Sequence, residues 1–464
     1  MRFEAVLEAI DATVESELER TGQPGLTLGV TAPDETLAVR TYGFADLASR
    51  APVTPEMLFE IGSIGKTFTA ILVLQFADEG KIELQAPVDR YLPWFDAAQR
   101  AGDRPITIAH LLSHTSGIVA GIDGTPEAAF QVWSLRDLPT RSAPGERFHY
   151  SNVGYKALGL VLEAVAGRPH PELLRERILR PLGMSATEPE ITHDLRARLA
   201  VGYEYLHDDR DGHPGAPLAP ATWLETATAD GSIASTAADM CAFARLLMRR
   251  GEGPAGRLLS EEAFAEMATR RGGIDETAGY GYGLILRELD GRRFVGHGGG
   301  MVGYLAGLQV DVEAALGAVV LQNGVSANPM ALARRVIAIV RDGPAAAGAS
   351  NAGDRAEAGE GAPVPPPPAN PADELRAIAG HYRSHSPWTT NFRVVLRGDG
   401  PWLTFAAAPD GFDDEQPLVP EPDGSFRVGE DPGNPESLRF DTVVDGRALR
   451  AWISGWPYYR AADA

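Results

Sequence analysis

Cysteine is almost missing from this chain of 464 residues. Cys241 stands alone, so no internal disulfide can form, and its place in an apolar helical pattern from Met240 through Phe243 and Leu246 to Met248 reads as a buried core thiol. Clusters of Lys and Arg are missing too. With 42 Lys and Arg against 63 Asp and Glu, the formal net charge is −21, which makes nucleic acid and anionic membrane surfaces poor partners. No apolar run is long enough to span a bilayer, and Glu4, Glu8 and Asp11 interrupt any signal-peptide core near the start. These absences give the expectation of a cytoplasmic protein with neither a nucleic-acid nor a membrane partner. What the chain does have is 44% hydrophobic content, enough for a large core, and a length that suggests two or three domains.

Phe3, Leu7, Ile10, Val14 and Leu18 recur at spacings of three and four and predict an opening amphipathic helix. Strand-like runs follow at Leu26 to Val30 and Leu37 to Tyr42, and a helical segment begins near Ser63 with Phe68, Ile71, Leu74 and Phe76 as its apolar positions. Strand patterns return at Gly283 to Leu289, Arg293 to His297, Leu305 to Val312 and Ala318 to Gln322, before a helix from Pro329 to Val340. Strands at both ends with helices between them predict one sheet built from both termini beside a helical subdomain. A change to Ala, Gly and Pro marks residues 344–373 as a linker between a domain at 1–343 and one at 374–464. In the last segment, short alternating runs at Phe392 to Leu396, Trp402 to Phe405, Phe426 to Val428 and Leu449 to Trp452 are separated by turn pairs such as Asp399-Gly400 and Asp423-Gly424. That pattern predicts a small antiparallel barrel or sandwich.

Ser63-Ile64-Gly65-Lys66 is the main chemical signal. At the start of a helix the i and i+3 side chains share a face, and the helix terminus favours an alkoxide or oxyanion. A serine hydroxyl is a weak nucleophile until a neighbour takes its proton, and a desolvated lysine can be that neighbour. Alone, Ser-x-x-Lys equally describes an N-cap serine followed by a solvent-facing lysine. Tyr150 read singly is a core aromatic, Asn152 a helix cap and His297 a turn residue; their joint occurrence is what those readings leave unexplained. His110 and His114 stand four apart, but without the glutamate of a metalloprotease helix no zinc site is expected. Thr236-x-x-Asp239 predicts a capping box.

Ser63-x-x-Lys66, Tyr150-Ser151-Asn152 and His297-Gly298-Gly299 occur in the order of a known family. So do the phrases HLLSHTSGI from His110, PGERFHYSNVGY from Pro144, PLGM from Pro181, STAADM from Ser235 and YGYGL from Tyr280. Over residues 3 to 340 the chain resembles the class C β-lactamase and penicillin-binding-protein superfamily. The resemblance implies an α/β (α+β) fold, an antiparallel sheet flanked by helices with a helical subdomain. It implies Ser63 as nucleophile, Lys66 and Tyr150 as the proton-handling pair, and Asn152 orienting Lys66 and contacting the substrate amide. The oxyanion hole would be the N–H groups of Ser63 and Gly300, and His297 would donate to a carbonyl or share in proton transfer. Gly298 and Gly299 would let substrate backbone lie along the strand. Read from the sequence itself, Tyr304, Trp223 and Trp133 are either core aromatics, the commoner case, or the lining of a substrate cleft.

The family's Lys-Thr-Gly, which binds a carboxylate, is replaced by His297-Gly298-Gly299, which weakens an antibiotic-hydrolase reading and resembles esterases and D-stereospecific peptidases. LRAIAGHYRS from Leu375, with the short strands after it, is similar to the lipocalin-like domain of D-aminopeptidases and of penicillin-binding-protein-type thioesterases, the stand-alone macrocyclases of nonribosomal peptide assembly. By analogy with these, the leading expectation is acyl transfer from a peptidyl thioester with a D-residue at the reacting carbonyl, closed to a ring by the peptide's own amine. Its partner would be a phosphopantetheinyl carrier protein, and neither metal nor organic cofactor is implied. A D-peptidase, amidase or carboxylesterase using water on the same acyl-enzyme is the second reading, and a non-catalytic binding module the third.

Overall fold

The structure, a computed structural model, describes residues 2–96, 104–121, 127–210, 212–348, 373–398, 400–408 and 412–461. Most of the expected linker and the turn residue Asp399 lie outside the described residues. The described residues fall into two compact units, one within 1–86, 158–206 and 213–358, the other within 87–157, 207–212 and 359–464.

The first unit is built on a nine-stranded antiparallel sheet. Its order is Gly272–Gly273, Ala278–Tyr280, Ile285–Leu289, Arg292–Met301, Tyr304–Asp311, Leu316–Gln322, Gly25–Thr31, Thr36–Asp46 and Ala51–Pro52. The run GLTLGVT is buried along its whole length because Gly25–Thr31 lies mid-sheet with both faces covered. It pairs with Leu316–Gln322 at Leu28 opposite Val320, joining the two ends of the unit as expected. The opening helix Arg2–Thr21 and the helix Pro329–Asp342 share one core with the sheet, in which Val6, Ile10 and Val14 meet Leu26, Leu28, Val336 and Ile337. Phe3, expected on the buried face, is 45% exposed, because the stripe in the core runs through Val6 instead. Asn328 caps the second of these helices, its side chain accepting from the Ala331 N–H at 3.0 Å, and Pro329 takes the first turn, where its missing N–H costs nothing.

The helices Gly65–Asp78 and Ala237–Met248 pack together through Phe68 and Phe243, stacked at 3.7 Å. The expected capping box at the second helix is only half present. Thr236 accepts from the Asp239 N–H at 3.2 Å, but the Asp239 carboxylate turns away to accept from the N–H groups of Ala186 and Thr187, both at 2.9 Å.

In the second unit, residues 380–460 form a closed eight-stranded barrel, which is the barrel alternative of the expected all-β domain. Closure is made by Gly380–Arg383 pairing with Trp456–Arg460, Tyr382 opposite Arg460, so neither end strand is left as an open edge. Large Tyr382 and Phe392 with small Ala448 and Ala451 fill the interior. No helix among the described residues is long and apolar enough to cross a membrane.

Candidate active site

Ser63 sits on a sharp turn. Gly62 has φ +51°, a left-handed conformation that favours glycine, and a Cβ there would lie 2.6 Å from the Gly300 N. A single 3-10 turn, Gly62–Ile64, leads into the helix Gly65–Asp78, and Lys66 follows Ser63 by one turn. Lys66 is fully buried, and its Nζ donates to Ser63 Oγ at 2.9 Å and to the backbone oxygen of Asp230 at 2.9 Å. The expected meeting of i and i+3 side chains is thus in place, and the solvent-facing lysine is not. Asp230 was missed by sequence reasoning because it contributes a carbonyl, which any residue type supplies. Two threonines of the same helix hold the surroundings: Thr67 Oγ1 donates to Gly283 O at 2.6 Å and Thr69 Oγ1 to Ala229 O at 2.6 Å. Thr69 has then spent its proton, so it accepts from His170 Nε2 at 3.0 Å. Burial holds that imidazole neutral, its pKa pushed down to about 4.

The glycine-rich end of Arg292–Met301 runs beside the nucleophile turn. A Cβ on Gly299 would stand 1.9 Å from Ile61 O and 3.0 Å from Ser63 N, so only glycine permits this approach. His297 is buried, and burial pushes its pKa down to about 3. Its Nδ1 lies 2.5 Å from Gly298 O and its Nε2 2.8 Å from the Tyr280 hydroxyl. A carbonyl only accepts, so the neutral ring carries its proton on Nδ1 and Nε2 accepts from Tyr280. Burial thus favours the uncharged ring, and its described bonds hold the strand that carries Gly298 and Gly299.

Tyr150 and Asn152 belong to the other unit. Tyr150 packs against His114, ring centroids 4.3 Å apart, and His114 takes φ +55° two residues beyond the helix Ile108–Leu112. The Ser151 N–H donates to His114 Nδ1 at 3.0 Å, and the His149 N–H donates to His114 O at 2.8 Å. His114, for which the sequence offered only a zinc site to reject, therefore braces both neighbours of Tyr150. Ser151 is the residue that caps the helix Asn152–Ala166: its Oγ accepts from the Gly154 N–H at 3.1 Å and donates to Val119 O at 2.7 Å. The cap reading of Asn152 is thereby excluded.

The three aromatic residues differ in their surroundings. Tyr304 is buried, its hydroxyl donating to Ala200 O at 2.6 Å and its ring pressed against Gly202, so of its two readings the core role holds and the cleft-lining role does not. Trp223 is half-buried with the Arg196 guanidinium 5.5 Å over its ring, and Trp133 is exposed beside Phe130. Another residue missed in the sequence is Glu60, whose carboxyl is buried three residues before Ser63 and pushed up to about 8 by desolvation. No His, Cys, Asp and Glu grouping able to hold a metal exists among the described residues.

The beta-lactamase family model matches residues 10–342. Over 315 residues the chain is 32% identical to penicillin-binding protein 4 of Amycolatopsis lactamdurans, covering 65% of this chain and 81% of that one. Among solved structures, an octameric penicillin-binding protein homologue from Pyrococcus abyssi superposes with a TM-score of 0.67 at 24% identity, covering 98% of this chain and 100% of that one, barrel included. A D-stereospecific amidohydrolase from Streptomyces superposes with a TM-score of 0.58 at 26% identity, covering 72% and 97%. With the buried Ser63–Lys66 pair on a turn against a glycine-rich strand, these likenesses lead to one conclusion: the chain belongs to the beta-lactamase family of serine hydrolases and acyltransferases.

Proposed function

We propose that the chain takes a peptidyl thioester or ester with a D-residue at the reacting carbonyl and closes it to a ring. In the first step Ser63 Oγ bonds to the carbonyl carbon, its proton passes to Lys66, and the thiol leaves as its sulfur is protonated. In the second step the peptide's N-terminal amine attacks the acyl-Ser63 ester, the amide bond forms, and the proton released by nitrogen returns to Ser63 Oγ. Tyr150 and Lys66 are the proton-handling pair, Asn152 orients the lysine, and the N–H groups of Ser63 and Gly300 hold the oxyanion. General acid–base help of this kind is worth ~10²–10⁴ in rate, and one oxyanion donor roughly 10²–10³.

The observation that carries the reading is the 2.9 Å contact from the fully buried Lys66 Nζ to Ser63 Oγ. Preference for a D-residue rests on the likeness to the D-stereospecific amidohydrolase, which equally favours the second reading, hydrolysis of the same acyl-enzyme. Cyclisation rests on the resemblance to stand-alone macrocyclases with a trailing barrel, and a phosphopantetheinyl carrier protein is the donor it requires. An amine held near the ester outcompetes water through its effective concentration.

Matched peptidyl thioesters ending in a D- or an L-residue, followed by product mass spectrometry, test the reading. Cyclisation gives a product lighter than the linear acid by one water, from the D-ended substrate alone. Linear acid as the sole product establishes the hydrolase.

A further inference from the structure

Glu436 belongs to the barrel region, yet two of the three donors to its carboxyl come from residues some 300 positions earlier. Its side chain is fully buried. One oxygen, Oε1, accepts from the Ala120 N–H at 2.6 Å and from His149 Nε2 at 2.9 Å; the other accepts from Ser454 Oγ, its neighbour within the barrel. A buried carboxyl is costly unless each oxygen is satisfied, and a barrel core alone is better served by an apolar residue. The backbone of Glu436 is itself pinned, its N–H donating to Asn434 Oδ1 at 3.0 Å and its carbonyl accepting from the Val428 N–H at 3.1 Å.

The two outside donors flank one short stretch of chain. His149 immediately precedes Tyr150. Ala120 presents its carbonyl to the N–H groups of Asn152 at 2.6 Å and Val153 at 3.2 Å. One carboxyl oxygen therefore ties together the segment just before Tyr150 and the loop that supports Asn152. Around this point the same region is held by Arg141 with Glu421 at 3.3 Å, and by Leu138 packed beside Gly455.

We infer that Glu436 is a positioning residue for the reaction: the C-terminal barrel is a strut that sets the Tyr150-Ser151-Asn152 segment through the Ala120 N–H and His149. The inference rests on the catalytic reading of Tyr150. It gives the appended barrel a part in turnover, acting on the protein's own Tyr-x-Asn segment rather than on substrate.

The test uses the full-length enzyme and a small D-aminoacyl p-nitrophenyl ester, which asks nothing of a carrier protein. Glu436→Ala is expected to lower kcat by about 10- to 100-fold while KM moves little, since a misplacement near 1 Å costs up to ~10²-fold. Amide exchange at Asn152 and Val153 should quicken while the barrel strands keep their protection. Glu436→Gln keeps an oxygen for the Ala120 N–H and should recover most of kcat. Should Glu436→Ala fail to fold, His149→Ala, which leaves the carboxyl and the barrel core intact, is expected to show the same kcat loss and exchange pattern in smaller measure. Tyr150→Phe separates the two levels. If it is as active as the wild type, the reading of Tyr150 and the strut fall together. If it is inactive while folded Glu436→Ala, or His149→Ala in its place, keeps wild-type kcat, the strut alone is overturned.

Discussion

Replacing Gly299 by alanine exchanges one hydrogen for a methyl group, and the structure says where that carbon goes. It would lie 1.9 Å from Ile61 O and 3.0 Å from Ser63 N, while ordinary contact begins near 3.4 Å. The strand Arg292–Met301 and the nucleophile turn must therefore separate by about 1.5 Å, because backbone atoms on both sides leave nothing soft to yield. Overpacking of this kind costs typically ~1–3 kcal/mol of stability, which a core of this size survives. Catalysis suffers more. A shift of that size pulls an oxyanion donor out of line, so the expected loss in kcat is roughly 10²–10³-fold. Gly298 provides the internal control, since its Cβ would meet the Met330 side chain at 3.4 and 3.6 Å and the Ala306 oxygen at 3.9 Å, all ordinary contacts. Gly298→Ala should therefore stay within about ten-fold of wild type, as volume changes against a flexible methionine do. The assay is the burst of p-nitrophenol from a D-aminoacyl ester, with circular dichroism to confirm folding. A folded Gly299→Ala enzyme with wild-type burst rate would refute the idea that this glycine sets the distance between strand and nucleophile.

Glu60 gives a pH dependence. Burial lifts its carboxyl to about 8 from the ordinary 4.5, so the folded protein binds that proton more tightly than the unfolded chain does. Its contribution is fully present below pH 4.5 and is lost as pH rises to about 8, at roughly 1.4 kcal/mol per pH unit. Glu60→Gln should thus gain on the wild type in urea unfolding as pH goes from 5 to 9, and a constant difference would contradict the assignment. Cys241 is buried and its thiol is pushed up to about 12 by desolvation, so thiol reagents at pH 8 should label the protein only after denaturant is added. Rapid labelling of native protein would contradict its burial.

What the sequence disclosed follows the range of the physics involved. The Ser63–Lys66 pair was legible because one helical turn suffices to bring the two side chains together. The central sheet was legible because runs such as Leu26 to Val30 are apolar wherever a strand is covered on both faces. Tyr304 was left open, since an aromatic residue looks alike in a cleft and in a core until the Ala200 carbonyl facing its hydroxyl is seen. For His297 the pattern gives the residue type but not its burial, which favours the uncharged ring. Asp230 acts through its backbone. Glu436 meets Ala120 across 316 residues, a separation at which no local periodicity operates.

The central claim is that Ser63 carries the acyl group, and intact-protein mass spectrometry after mixing with a D-ended peptidyl thioester, followed by peptide mapping, tests it most directly. The account predicts a mass gain of one acyl group located on Ser63 and absent from Ser63→Ala, with turnover lost in the same variant. An acyl group mapped to another residue, or turnover that survives Ser63→Ala, would contradict it.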